Sequence, residues 1–84
     1  MTKRLYSAKR EKFRELLKQV RCDAGLTQAD LAAKLGRAQS YVSDYERGQR
    51  RLDWVAVEEA LQACGGDLIN FAQKYAAVTQ DLAE

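Results

Sequence analysis

The segment QSYVSDY, from Gln39 to Tyr45, concentrates side chains that can donate and accept hydrogen bonds. It is short enough to form one helix, whose outward groups either contact another molecule or are simply solvated. Catalysis is a poor match, because the chain has no His and the serines have no partner that could act as a base in a recognisable pattern. No Gly-rich phosphate loop occurs either. The residues therefore favour binding, and we expect no enzyme.

Length and composition predict a single small folded domain. The chain has 84 residues, of which 46% are hydrophobic and 31% charged, and no repetitive tract indicates disorder. No apolar run is long enough for a membrane span or a secretory signal, so we expect a cytoplasmic location. Cys22 and Cys64 have no metal-ligand spacing, and we expect neither metal nor cofactor. Two reduced thiols are the favoured interpretation, with a disulfide as the alternative.

Charge is distributed unevenly along the chain. The net charge is +6 over residues 1–21, +1 over residues 22–51 and −5 over residues 52–84. A basic front and an acidic back suit a surface that meets a polyanion on one side. The alternative is a solvated run of charges with no partner.

The absence of Pro and the 3.6-residue periodicity predict an all-α fold with five helices. The first helix carries an apolar face and ends at Gly25, and Thr27 caps a second helix over 28–35. The third runs from about Ala38 or Gln39 to Arg47. Asp53 and Asp67 are the predicted caps of the fourth and fifth helices. The residues expected to face inward on the first and fourth helices are Tyr6, Phe13, Leu16, Leu17, Val20, Ala24, Trp54, Val57, Leu61 and Cys64.

The second and third helices have the spacing of a helix-turn-helix. Gly36 allows a tight left-handed turn between them, and small Ala32 lets them cross closely. Apolar Leu31 and Leu35 before the turn, with Val42 and Tyr45 after it, would fix the third helix with its opposite face outward.

The stretches RCDAGLTQADLAAKLG, SYVSDYERG and WVAVEEALQACGGDL resemble the compact five-helix DNA-binding domain of phage repressor and Cro proteins, the XRE family. The resemblance extends from Phe13 to Leu68. The turn departs from the family pattern at Arg37, usually apolar, and at Ala38, usually a capping Ser or Thr. Leu52 replaces a common Pro.

The resemblance implies that the third helix enters the major groove of DNA with its amino-terminal residues against base edges. It implies that the base-reading residues are Gln39, Ser40, Ser43 and Asp44. It implies that Gln28 contacts a phosphate and that Arg47, Arg50 and Arg51 lie in the loop that faces the DNA backbone. Tyr41, through its hydroxyl, and Arg37, which projects from the turn on the same side, are further candidate phosphate contacts. Gln can pair with adenine, and a carboxylate can accept from cytosine. Arg21 and Glu46 match family positions that pair structurally, and the alternative for the polar residues is a solvated helix face.

The chain divides into three expected segments. Residues 1–12 form a basic amino-terminal arm and the start of the first helix, residues 13–68 the helix-turn-helix domain, and residues 69–84 a carboxy-terminal helix. Lys3 and Arg4 are candidate arm contacts to DNA, with a mobile charged end as the alternative. The heptad-spaced apolar residues of the last helix are Leu68, Phe71, Tyr75, Val78 and Leu82. Its later members, Tyr75, Val78 and Leu82, form a candidate homodimer interface, or else cover the domain's own core.

Together these features predict a sequence-specific regulator of transcription that binds double-stranded DNA. The favoured form is a repressor that reads a palindromic operator as a homodimer. The alternative is an antitoxin-like module that binds both operator DNA and a protein partner, with the acidic carboxy-terminal third facing a basic protein.

Overall fold

A computed structural model describes the backbone of residues 2–82 and the side chains of residues 8–82. This part of the chain is helical and has no strand, which confirms the all-α prediction. The elements are α1 (Thr2–Asp23), α2 (Gln28–Leu35), α3 (Gln39–Glu46), α4 (Trp54–Ala63), α5 (Leu68–Thr79) and a 3-10 turn (Gln80–Leu82).

Side-chain caps begin three of the helices where the sequence predicts them. Thr27 accepts a hydrogen bond from the backbone N–H of Asp30, whose carboxylate accepts from the N–H of Thr27 in return. Asp53 and Asp67 cap α4 and α5 by accepting hydrogen bonds from the backbone N–H groups of Ala56 and Asn70. Each cap satisfies a backbone donor that the first helical turn leaves without a partner. The caps therefore fix where the helices of the domain start.

One hydrophobic core joins all five helices. Its buried members are Leu17, Leu31, Ala32, Val42, Tyr45, Val57, Leu61 and Phe71. The ring of Phe13 in α1 packs edge-on against that of Phe71 in α5, with centroids 5.7 Å apart. The long first helix and the last helix are therefore packed together, while α1 also contacts α3 and α4 contacts α2.

Two residues expected inside are exposed. Trp54 is 70% exposed because it occupies the first position of α4, where its ring lies on the rim of a groove rather than inside the core. Ala24 is exposed because α1 has already ended at Asp23. Cys64, also expected inside, is only partly buried. The periodic spacing of apolar residues predicted the side of the helix on which these side chains lie. It did not predict how far along the helix the buried core extends.

Helical structure extends close to both ends of the described residues. The predicted basic arm and helix start over residues 1–12 is helical from Thr2 onward. The predicted carboxy-terminal helix over 69–84 leaves α-geometry after Thr79, and Leu82 lies in the 3-10 turn. Thr79 is buried, and its hydroxyl donates to the carbonyl of Tyr75 at 2.7 Å. The heptad stripe is therefore not one continuous α-helix as far as Leu82.

Candidate nucleic-acid interface

The α2–α3 pair has the geometry of a helix-turn-helix. Gly36 adopts φ +67°, the left-handed region that a side chain disfavours, and the turn ends at Ala38. Val42 and Tyr45 anchor α3, with exposed fractions of 0% and 3%. Ala32 is buried where the two helices pack. The opposite face of α3 is consequently held toward solvent.

The four predicted base-reading residues lie along that outward side of α3. Gln39 and Ser40 are exposed in its first turn, whereas Ser43 and Asp44 are half-buried one turn later. Ala38 forms no side-chain cap, so α3 begins at Gln39 without one. The carboxylate of Asp44 accepts a hydrogen bond from Arg47 at 2.8 Å. Asp44 is thus already paired in the free protein.

A buried ion pair fixes α3 against α1, as the resemblance implies. Arg21 donates from Nε and Nη2 to the two carboxylate oxygens of Glu46, at 2.7 and 2.9 Å. Its third bond, from Nη1, goes to the carbonyl of Leu26 at 2.8 Å. The side chains of Arg21 and Glu46 are only 9% and 3% exposed. This bidentate geometry sets the angle of α3 relative to α1.

The same carboxylate orients a predicted phosphate contact. Gln28 donates from Nε2 to Glu46 Oε1 at 3.0 Å, and its own Oε1 accepts from Gln39 Nε2 at 3.4 Å. A chain of hydrogen bonds therefore runs from α1 through Glu46 and Gln28 to the first residue of α3. The sequence did not predict this connection between Gln28 and Gln39, which are the first residues of α2 and α3.

Protonation of the network is also constrained. Burial raises the pKa of Glu46, but the hydrogen bonds from Arg21 and Gln28 outweigh it and the net pKa is lowered. The hydrogen bond to Glu46 raises the pKa of Arg21. Burial raises the pKa of the Tyr45 hydroxyl as well, which keeps it neutral. The pair is therefore ionised at neutral pH, with the charges compensated inside the protein.

Two of the predicted phosphate-contacting residues, Arg37 and Arg50, lie over the aromatic ring of a third, Tyr41. The guanidinium carbon of Arg37 lies 4.6 Å from the centre of the Tyr41 ring, and that of Arg50 lies 5.1 Å from it. Cation–π attraction accounts for this arrangement. The Tyr41 ring also packs edge-on against Tyr45, with centroids 5.7 Å apart. Residues from the turn, from α3 and from the following loop thus form one basic aromatic cluster, which the four-residue step from Arg37 to Tyr41 could have indicated.

The remaining predicted residues are less closely associated. Arg47 is exposed and paired with Asp44, and Arg51 is exposed in the loop before α4. The side chains of Lys3 and Arg4 lie outside the described residues. Tyr75 packs edge-on against Phe13 at 6.3 Å between centroids.

Within residues 2–82 no helix is long and apolar enough to cross a membrane. The described side chains contain no group of three or more His, Cys, Asp or Glu that could hold a metal ion. Cys22 and Cys64 are free thiols.

Comparison with known proteins agrees with this geometry. The sequence matches the family described as a helix-turn-helix domain over residues 12–82. It is similar to the solved structure of an XRE-family like protein from Pseudomonas syringae pv. tomato str. DC3000, with 38% sequence identity and a TM-score of 0.85. The similarity covers 93% of this chain and 95% of that one. No curated protein matches the sequence significantly. The chain belongs to the XRE family of helix-turn-helix DNA-binding proteins.

Proposed function

We propose that the protein is a sequence-specific transcriptional repressor that reads a palindromic operator through α3 in the major groove. The observation that carries the proposal is the attachment of α3. Its inner side chains are fully buried, and Glu46 ties its end to α1, so the outward polar face is held in one orientation. Preorganised side chains of this kind can bind base edges with little loss of entropy.

Gln39 is the principal base reader in this proposal. It is exposed at the start of α3, the part of a recognition helix that meets base edges. Its hydrogen bond to Gln28 is long, at 3.4 Å, and both groups are amides, so Gln39 can turn toward the N6 and N7 atoms of an adenine. Ser40 and Ser43 supply shorter donors and acceptors beside it.

Asp44 contributes discrimination rather than affinity. Its pair with Arg47 is solvent-exposed, and such pairs contribute about 1 kcal/mol or less. The carboxylate can therefore accept from a cytosine amino group while Arg47 turns to a phosphate. The negative charge of Asp44 also repels a nearby phosphate of the DNA backbone.

Phosphate contacts supply most of the affinity. The cluster of Arg37, Tyr41 and Arg50 faces the same side as the start of α3 in this proposal, with Arg47 and Arg51 extending it. Gln28 donates one N–H of its side-chain amide to Glu46, which leaves its second amide N–H and its backbone N–H at the start of α2 for a phosphate.

A homodimer would place two copies of α3 about 34 Å apart on the two halves of the operator. Val78, at 42% exposure, and Leu82, half-buried, are available for the interface at Tyr75, Val78 and Leu82. Sedimentation or light scattering of Val78→Asp should give the monomer if this surface pairs, because a buried carboxylate would have no partner.

The base-reading role is tested by comparing two variants on a selected site and on random DNA. Gln39→Ala should cost about 1 to 3 kcal/mol on the selected site and little on random DNA. Arg50→Ala should weaken binding to both and flatten the salt dependence. Equal losses of Gln39→Ala on both DNAs would contradict the assignment of Gln39.

A further inference from the structure

An apolar groove lies between α1, α4 and α5. Its volume is about 250 Å³, and its wall includes the rings of Phe13, Trp54, Phe71 and Tyr75. Asp53 is the one charged residue among the described side chains that line it. No residue of α2 or α3 contributes to the wall, so the proposed contacts to DNA leave this groove unused.

Large apolar side chains are exposed at the groove and beside it in the chain. Trp54 is 70% exposed, and Val55 and Ile69, which follow the groove residues Trp54 and Leu68, are 57% and 74% exposed. Clustered apolar side chains on a surface mark a binding site for another molecule. Sites for small molecules have volumes of about 300 to 1,000 Å³. The smaller groove therefore suits one or two anchoring side chains of a protein segment.

The helices that form the groove carry unpaired negative charge. Residues 52–82 contain five acids and one lysine, a net charge of −4. None of the ion pairs found among residues 8–82 involves these acids. Asp53 lines the groove, and Glu58 follows Trp54 by about one turn of α4. The α4–α5 side of the groove therefore attracts cations.

The same charges disfavour a second copy of this chain as the occupant. A two-fold dimer across the groove would bring together two surfaces of net charge −4, and facing like charges oppose association. The proposed dimer interface lies elsewhere, because its Val78 lines a separate cavity with Leu16. Beyond Phe13 and Leu52 the groove adjoins the arginines of α1 and of the loop after α3, so the cations of a partner should lie toward α4 and α5.

We propose that the groove binds an amphipathic helix of another protein, with a large apolar anchor on one face and Lys or Arg on its flanks. Helices bind apolar grooves through side chains three or four residues apart. The anchor would contact Trp54, Phe71 and Tyr75, and the cations would lie near Asp53 and Glu58. This surface uses neither α2 nor α3, so the inference goes beyond the proposed function and does not depend on it.

The fluorescence of Trp54 measures occupation of the groove, because Trp54 is the only tryptophan of the chain. The probe is a synthetic helical peptide with Leu along one face, Lys on the others and no aromatic residue. One comparison peptide has Glu in place of Lys, and a second has the Lys and Leu residues in scrambled order. The Lys peptide should shift the emission of the full chain to shorter wavelength, with saturation. The comparison peptides should bind about tenfold more weakly or less.

Two matched variants of α5 locate the binding site. Ala72 lines the groove, Ala77 does not, and both are exposed. Ala72→Gln places a polar side chain where the anchor would lie, so the dissociation constant of the Lys peptide should rise about tenfold or more. Ala77→Gln should leave it within about twofold of the parent's.

Asp53→Asn tests the charge at the groove. Asn also caps helices, so the start of α4 is kept while one negative charge is removed. Binding of the Lys peptide should weaken by up to about fivefold, and that of the Glu peptide should not weaken.

Four results would overturn the inference. They are no emission change with the Lys peptide, equal binding of the Lys and Glu peptides, equal effects of the two alanine variants, and short-wavelength emission of the monomer without peptide. The last would mean that the chain's own residues cover the groove. An emission shift that grows with protein concentration alone, with a dimer in sedimentation that Ala72→Gln separates, would assign the groove to a second copy and overturn the inference as well.

Discussion

Replacing Glu46 by Gln tests how strongly the buried ion pair holds α3. The change leaves the Arg21 guanidinium charged and 9% exposed, with its bond to the Leu26 carbonyl but without its anion. Removing one partner of such a pair costs about 3 to 5 kcal/mol. Because Gln keeps one acceptor oxygen and Arg21 keeps a second bond, the lower figure of about 3 kcal/mol is expected. The substitution should also weaken the hydrogen bond that Gln28 of α2 donates to the side chain of residue 46.

Asp44→Asn is the control for this variant. Asp44 lies on the same helix and also pairs with an arginine, but its side chain and that of Arg47 are 36% and 64% exposed. The loss of an exposed pair should cost less than about 1 kcal/mol. The comparison therefore isolates the effect of burial on the same kind of pair.

Urea denaturation followed by circular dichroism measures both losses. With an m-value of about 1 kcal/mol per molar for a domain of this size, Glu46→Gln should lower the midpoint by about 3 M. Asp44→Asn should lower it by less than about 1 M, with m unchanged in both. The double variant Arg21→Met with Glu46→Leu should recover much of the loss, because no charge is left buried. Equal small shifts for Glu46→Gln and Asp44→Asn would refute the structural role of the pair.

Three further outcomes follow from particular side chains. Gly48→Ala should destabilise the fold by about 1 to 3 kcal/mol, and by more than Gly25→Ala. Both glycines have positive φ, but of the two added methyl groups only the one at position 48 would also contact Arg14. Thermal unfolding of the two variants measures the difference. The folded-state pKa of Glu46 lies below its unfolded value of 4.5, so its stabilisation is present above that pH and is lost as the pH falls through the folded pKa. Urea midpoints at pH 7 and pH 3 should differ less in Glu46→Gln than in the parent. Trp54→Ser should change stability by about 0.5 kcal/mol or less, because Trp54 is 70% exposed; a loss above 3 kcal/mol would contradict its place outside the core.

Local signals predicted most of the fold. The caps at Thr27, Asp53 and Asp67, and the left-handed turn at Gly36, depend on residues within one turn of each other, and the structure has all four. The packing of Val42 and Tyr45 followed from the apolar period. Sequence reasoning worked here because each feature is decided by its neighbours in the chain.

Features that depend on distant neighbours were not predicted. The exposure of Trp54 is set by where the core ends, which the helical period cannot give. Tertiary packing also brings Arg14 of α1 close to Gly48, which lies 34 residues later in the chain. The bond between Gln28 and Glu46 likewise joins two helices through side chains. The sequence therefore offered candidate site residues, but it did not predict the side-chain contacts that join Gln28 to Glu46 and to Gln39.

Selection from a pool of randomised duplexes tests the central claim most directly. The purified protein would be incubated with the pool at two salt concentrations, and the bound sequences determined. A sequence-specific dimer should enrich a palindrome with half-sites about one helical turn apart, and the enrichment should persist at the higher salt. Weak binding with no sequence preference that disappears at the higher salt would contradict the proposal that α3 reads an operator.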